Sequence, residues 1–178
     1  MALTVDPALA IVLRAGLALL FATAAAHKLR DFGAFRDALE GYRLVPAPAL
    51  GPSACGLIAA ELGTAAALVL SEHGGVAAAA LLGLYSAAIA LNLARGRREI
   101  DCGCFGPAMR QPLSLALVLR NLGLIALALV CLLPVGTRAL GPLDALVIAA
   151  AVALAALLHG ALNGLIANAP RLRALRDA

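Results

Sequence analysis

The sequence is short of charge and short of aromatic rings. Of its 178 residues, 13% are charged and 3% are aromatic. Ordinary soluble domains carry about 25% charged residues. So little charge excludes a typical water-soluble globule, and a hydrophobic content of 63% excludes a disordered chain. The scarcity of rings leaves no stacking platform for nucleic acid, and the basic residues flank apolar blocks rather than forming a binding stripe. No Gly-rich phosphate loop and no haem or flavin motif appears, so a nucleotide-dependent enzyme has no support. Cysteine is also scarce, at 4 residues, and none precedes Cys55, so the lipoprotein pattern is missing. A cleavable signal would need a basic start and a short apolar core. Here the first charge is Asp6, and the first basic residue, Arg14, lies inside an apolar block. The first apolar block is therefore expected to stay in the mature protein.

What the chain does have is long apolar runs. A membrane span needs roughly 20 apolar residues to cross about 30 Å of hydrocarbon. Five blocks qualify, near 8–27, 50–71, 75–94, 113–134 and 143–168. None shows the alternation of a barrel strand. Because a backbone in lipid must satisfy its own hydrogen bonds, each block is expected to be an α-helix. The expected fold is all-α: a polytopic membrane helix bundle of about five transmembrane helices, a core of four plus a C-terminal helix. Residues 1–178 form a single integral membrane domain in this reading. Gly56, Ala60 and Thr64 form a small-residue ridge that predicts close helix packing on the second span.

Charge placement predicts orientation. Eleven of the fourteen Lys and Arg residues fall in the connections after the first and third spans and in the tail, all on one side of a five-span chain. Arg138 alone lies opposite, while Arg14 and Arg120 lie within spans. The positive-inside rule puts the N-terminus outside and the C-terminus in the cytoplasm.

The sharpest local motif is Asp101-Cys102-Gly103-Cys104-Phe105-Gly106-Pro107. Two thiols two positions apart can close a tight ring, and Gly103 relieves backbone crowding. Strained disulfides are easily reduced and tend to be catalytic or regulatory. Arg97, Arg98 and Arg110 favour thiolate, whereas Glu99 and Asp101 oppose it. Three readings stand side by side: redox exchange through Cys102 and Cys104, half of a zinc site, and a static turn. Zinc wants four ligands, and a Cys-x-Cys pair supplies two. No metal site is assigned. Cys55 and Cys131 read as packing residues.

Polar residues inside spans form the second signal, because they are costly in lipid. Glu61 lies near the middle of the second span and must be neutral or paired, with Arg14, Arg120 or His27 as expected partners. His27, Asn92, Arg120, Asn121, His159 and Asn163 all fall in the half of the bundle that holds the Cys motif, so one polar cluster near the thiols is expected. His159 and Asn163, at i and i+4, share a face. Bundle assembly and a proton-handling or quinone-contacting site are both consistent with these residues.

These motifs carry a resemblance. Arg14, the small-residue run up to His27-Lys28-Leu29-Arg30-Asp31-Phe32, Gly41-Tyr42-Arg43-Leu44-Val45-Pro46, Glu61-Leu62-Gly63, Asn92 through Arg97, the Cys-Gly-Cys-Phe-Gly block and Arg120-Asn121 resemble the MauE/DoxX-like group of membrane proteins, and within it the MauE family. The resemblance covers roughly residues 8–135. It implies a multi-pass protein of the bacterial inner membrane, linked to thiol redox and to methylamine metabolism. It also implies a thioredoxin-like partner and a disulfide-dense periplasmic client such as the methylamine dehydrogenase small subunit. On this reading the Cys102/Cys104 pair exchanges disulfides. Membrane quinone, near Glu61, Arg120 and His159, is its expected electron sink, and no other cofactor is evident. The charge pattern puts the thiols on the cytoplasmic side and the client lies outside, so the expected function is a transmembrane relay. Two alternatives stay open: a non-catalytic assembly scaffold, and a small-solute transporter using Glu61.

Overall fold

A computed structural model describes residues 4–103 and 111–176, with side chains through residue 169. Its helices are α1 (Pro7–Arg30), α2 (Phe32–Tyr42), α3 (Leu50–Leu70), α4 (Gly74–Ala94), α5 (Leu115–Val130) and α6 (Pro142–Arg176), with a 3-10 turn at Ala47–Ala49 before α3. Among the described residues there is no strand, only two isolated bridges. The fold is an all-α bundle of the kind the apolar blocks predict.

Local chemistry sets the ends of these helices. Asp6 accepts from the Ala8 N–H at 2.8 Å and Pro7 opens the first turn, so α1 starts where its orphan N–H groups are satisfied. Asp31 stops α1 and caps α2, accepting from the Ala34 N–H at 3.0 Å. At the α3–α4 turn, Gly74 lies against the α3 backbone and Gly75 against the Ala128 carbonyl of α5; a Cβ at either would collide.

α1, α3, α4 and α6 are long and apolar enough to cross a membrane, and α5 is a shorter apolar helix. α5 has 16 residues, about 24 Å at the α-helical rise, so it is shorter than the expected 113–134 block. It still runs antiparallel along α4. Its end packs with the start of α4 around Ala78, Leu82, Ala128 and Cys131, and its start packs with Ile89 around Leu113 and Leu117.

Two features differ from the sequence reading. The connection after α1 is not a loop but the amphipathic helix α2, which buries Phe35 and Tyr42 and exposes Arg36, Asp37 and Glu40. The Gly56–Ala60–Thr64 ridge is not the packing face of α3. Gly56 and Ala60 are exposed, and the buried stripe is Ala54, Ile58, Glu61, Thr64 and Leu68. Of the three, Thr64 alone belongs to the buried stripe.

The two ends of the bundle are chemically distinct. At one end the Val5 N–H donates to the Pro134 carbonyl at 2.9 Å, and Arg138 bridges Asp6 and Asp144. The Arg138 hydrogen bond holds the Asp6 carboxyl below its ordinary range. Here also Arg14 donates to the Cys131 carbonyl at 3.3 Å. At the other end lie α2 and the α4–α5 connection, with Arg36, Arg95, Arg97 and Arg98.

Candidate functional site

Glu61 is 1% exposed, and its partner is Lys28, itself 3% exposed. None of the expected partners, Arg14, Arg120 or His27, takes this role. Lys28 belongs to the last turn of α1 rather than to a loop. Side chains on a helix lean toward its N-terminus, so the Lys28 ammonium is carried back into the bundle. It lies 5.1 Å from the centre of the Phe35 ring and 5.4 Å from that of Tyr85. The Tyr85 hydroxyl donates to the same Glu61 Oε1 at 2.8 Å. A buried charge is tolerated when it is paired and hydrogen-bonded. The trio supplies this at Glu61 Oε1 from α1 and α4, while the buried Oε2 has no hydrogen-bond partner among the described residues.

The expected single polar cluster is divided in two. One part gathers on α5 and α6. Arg120 donates from Nη2 to Asn121 Oδ1 at 2.9 Å and from Nη1 to Asn163 Oδ1 at 2.5 Å. Asn163 Nδ2 donates to the His159 carbonyl at 2.8 Å, so the i, i+4 pair meets through the backbone rather than through the imidazole. Glu61, Tyr85, Arg120, Asn121 and His159 line a crevice of about 40 Å³ between these helices. That is near the volume of one or two waters in the liquid and far too small for a quinone ring.

The second part surrounds the thiol. Cys102 is 8% exposed and packs with Tyr42, Ile89, Leu113 and Leu117. Its N–H donates to the Gln111 carbonyl at 2.9 Å, and its carbonyl accepts from the Tyr42 hydroxyl at 3.3 Å. Asp101 Oδ1 accepts from the N–H groups of Gly103, at 3.2 Å, and Gln111, at 3.3 Å. Gly103 has φ of 72°, the left-handed region that glycine enters without strain. Asp101 thus shapes the turn that presents Cys102. Arg97 does not lie free beside the thiol. It donates to the Gly41 and Tyr42 carbonyls and to Asn92 Oδ1, tying the end of α2 to the end of α4. Asn92 is fully buried and anchors that arginine. Cys104, Phe105, Gly106, Pro107 and Arg110 lie outside the described residues.

Two cavities meet at Lys28. A polar one of about 600 Å³ lies between α2 and residues 97–103, with His27, Asp31, Arg97, Asp101 and Gly103 on its walls. An apolar one of about 480 Å³ lies among α2, α3 and α4, and Tyr42, Gly56, Leu57, Tyr85 and Cys102 line it. Both fall in the size range of small-molecule sites, about 300–1,000 Å³. Cys55 is exposed on α3, and Cys131 is buried at the opposite end of the bundle from Cys102. Among the described residues, no three His, Cys, Asp or Glu side chains converge as metal ligands would.

Sequence reasoning gave no site role to Lys28, Tyr42, Tyr85 or Gln111, although Lys28 and Tyr42 stand among the residues that carry the resemblance. A signal for Lys28 was present. Leu17, Phe21, Ala25 and Lys28 recur at helical spacing, so the lysine continues the buried stripe of α1. Gln111 offers no such period, because it lies outside any helix.

Residues 6–134 match the family described as methylamine utilisation protein MauE. The methylamine utilization protein MauE of Paracoccus denitrificans is 45% identical over 128 residues, 70% of this chain and 69% of its own length. That of Methylorubrum extorquens is 44% identical over 177 residues, 95% of each chain. That of Paracoccus versutus is 41% identical over 127 residues, 70% of this chain and 68% of its own. No solved structure matches. With the family match spanning α1 to α5 and one relative aligned through α6, the chain belongs to the methylamine utilisation protein MauE family.

Proposed function

We propose that this chain is a membrane accessory protein of methylamine utilisation that carries out thiol-disulfide exchange through Cys102 and Cys104. Its partner is a thioredoxin-like protein, and its client is a periplasmic protein such as the methylamine dehydrogenase small subunit. The observation that carries this reading is the setting of Cys102: a thiol held in a turn shaped by Asp101 and Gly103, on the wall of a cavity that Lys28 also lines. A purely structural cysteine needs no such turn.

In the exchange, a thiolate of the partner attacks the Cys102–Cys104 disulfide. One new S–S bond forms, and the displaced sulfur leaves as thiolate. The second partner thiolate then attacks the mixed disulfide, so the partner leaves oxidised and the pair is left reduced. Regeneration transfers two electrons and two protons to an acceptor, for which membrane quinone is proposed. The apolar cavity has the volume for it, and the crevice at Arg120 and His159 does not. The charge distribution supports an N-terminus outside and a basic end in the cytoplasm of a bacterial inner membrane. With client and thiols on opposite sides, exchange runs as a relay across the bundle.

The test is replacement of both Cys102 and Cys104 by Ser, with client maturation read as disulfide content and activity. A relay loses maturation while the protein still inserts and accumulates. Full maturation in the double variant would instead support a scaffold. A transporter would be disabled by Glu61→Gln and indifferent to the Cys changes.

A further inference from the structure

α6 lies beyond residues 6–134, the family-matching part of the chain, and most of its surface is exposed and apolar. One residue breaks this pattern. Asn163 is 0% exposed, and a fully buried amide in an otherwise apolar span is costly unless it is used. Its side chain accepts from Arg120 on α5, which ties α6 to α5 in addition to its packing along α1. Its backbone carbonyl accepts from Gln111 Nε2 at 2.9 Å, and Gln111 is 1% exposed. The Gln111 carbonyl in turn accepts from the Cys102 N–H at 2.9 Å. Two hydrogen bonds therefore connect the C-terminal helix to the backbone of Cys102. Each passes through a buried amide, where a lost partner is felt most.

We infer that Asn163 and Gln111 are positioning residues for Cys102, and that α6 serves as the clamp of the redox segment. Arg120 docks Asn163, the docked helix presents the Asn163 carbonyl, and Gln111 spans from that carbonyl to the thiol-bearing turn. Neither amide touches a reacting atom. Their work is to keep Cys102 at one depth and in one orientation against Tyr42, Ile89 and Leu117. The inference rests on the reading of Cys102 as the exchanging thiol, but its test does not depend on exchange activity.

The test uses the full chain in lipid nanodiscs with Cys55→Ser and Cys104→Ser, which leaves two thiols, Cys102 and Cys131. Alkylation by N-ethylmaleimide is followed at each thiol by mass spectrometry. Gln111→Met keeps the length of the side chain and removes its donor. Asn163→Leu removes the acceptor for Arg120. Either change should speed alkylation of Cys102 by roughly fivefold to tenfold, the scale of one lost buried hydrogen bond. The double variant should be no faster than the quicker single one, because both break the same connection. Asn163→Asp keeps an acceptor for Arg120 and should keep Cys102 protected. Cys131, at the other end of the bundle, should alkylate at its original rate throughout. Asn168→Ala, on an exposed position of α6 whose amide bonds to the Gly164 carbonyl, should change neither thiol.

An unchanged Cys102 rate in both Gln111→Met and Asn163→Leu would overturn the clamp. So would a parallel rise at Cys131, which would mark general loosening. If client maturation survives loss of both Cys102 and Cys104 while the alkylation pattern holds, the relay reading fails and the clamp stands. If maturation is lost but alkylation is indifferent to Gln111 and Asn163, the relay stands and the clamp fails.

Discussion

The Lys28 ammonium and the Glu61 carboxylate form an ion pair inside the bundle, 33 residues apart in sequence and bracketed by the rings of Phe35 and Tyr85. The pair binds α1 to α3, and Tyr85 adds α4 to the same carboxylate oxygen. Removing one member leaves a buried uncompensated charge, which costs about 3–5 kcal/mol, whereas removing both with apolar residues of similar size is often neutral. Lys28→Met and Glu61→Leu should each lower the unfolding temperature in detergent and cut membrane accumulation. The double variant should recover most of the loss. Unfolding curves for the four proteins decide it, and a double variant as weak as the worse single one would mean the pair has no structural partnership.

Tyr85→Phe isolates the third member of that trio. It removes one hydrogen bond to a charged group and little volume, so about 1.5–3 kcal/mol of stability should be lost if the bond is made in the folded protein. Thermal unfolding beside the wild type is the measurement. A loss indistinguishable from zero would show that Glu61 does not rely on the hydroxyl.

Close packing at the α4–α5 contact depends on an absent side chain. A Cβ at Gly75 would run into the Ala128 carbonyl and the Leu132 side chain. Gly75→Val should therefore separate α4 from α5 and destabilise by about 1–3 kcal/mol, the usual range for overpacking. Gly83→Ala is the matched control, since nothing lies within 4 Å of a Cβ there. It should be neutral or stabilising by up to about 1 kcal/mol. Equal losses at both positions would point to a general intolerance of substitution in α4.

The helices were legible because lipid imposes a length and an apolar composition that a sequence displays directly. The block expected near 8–27 falls inside α1, which Asp6 and Pro7 open. What could not be read was pairing at a distance. Glu61 advertised its need for a partner, but the choice among Arg14, Arg120, His27 and Lys28 depends on how far α1 continues and how it is rotated. The positive-inside rule counts Lys28 as a loop charge, and only the continuation of α1 to Arg30 turns it inward. α2 was hidden for a related reason. Its polar face supplies the same Arg and Asp residues that mark a loop, and its apolar face is little more than Phe32, Phe35, Leu39 and Tyr42, spread over the whole short helix. Asn163 and Gln111 carry no mark in the sequence of what they join.

The clasp at the opposite end makes a pH prediction. Arg138 bridges Asp6, ahead of α1, and Asp144, in the first turn of α6. The hydrogen bond from Arg138 lowers the Asp6 pKa from its ordinary value. A carboxyl with a depressed folded pKa adds stability above its unfolded value, near pH 4, and loses it as pH falls through the folded value. The clasp should thus be intact at neutral pH and open in acid. Because Asp6 and Arg138 are both exposed, its contribution should also shrink as salt rises. Titration of side-chain-labelled Asp by NMR in micelles reads this directly. Arg138→Ala should move the Asp6 midpoint upward toward the ordinary value, and an unmoved midpoint would show that the clasp is not formed in solution.

Sidedness is the prediction with the widest consequences. The basic end carries α2, Arg97 and Cys102, and the clasp end carries Asp6 and Arg138. If the basic end faces the cytoplasm, Cys102 in a Cys55→Ser, Cys131→Ser background should resist an impermeant maleimide applied to intact cells, even after reduction. It should label in opened vesicles once reduced, slowly because it is 8% exposed. That outcome requires redox equivalents to cross the bundle before they reach a periplasmic client. Labelling from outside after reduction would invert the placement, and the thioredoxin-like partner would then meet the thiols directly. An engineered cysteine at Thr137, exposed beside Arg138 in the α5–α6 connection, provides the reciprocal control. It should label from outside whenever Cys102 does not, because the two ends of one bundle cannot face the same compartment.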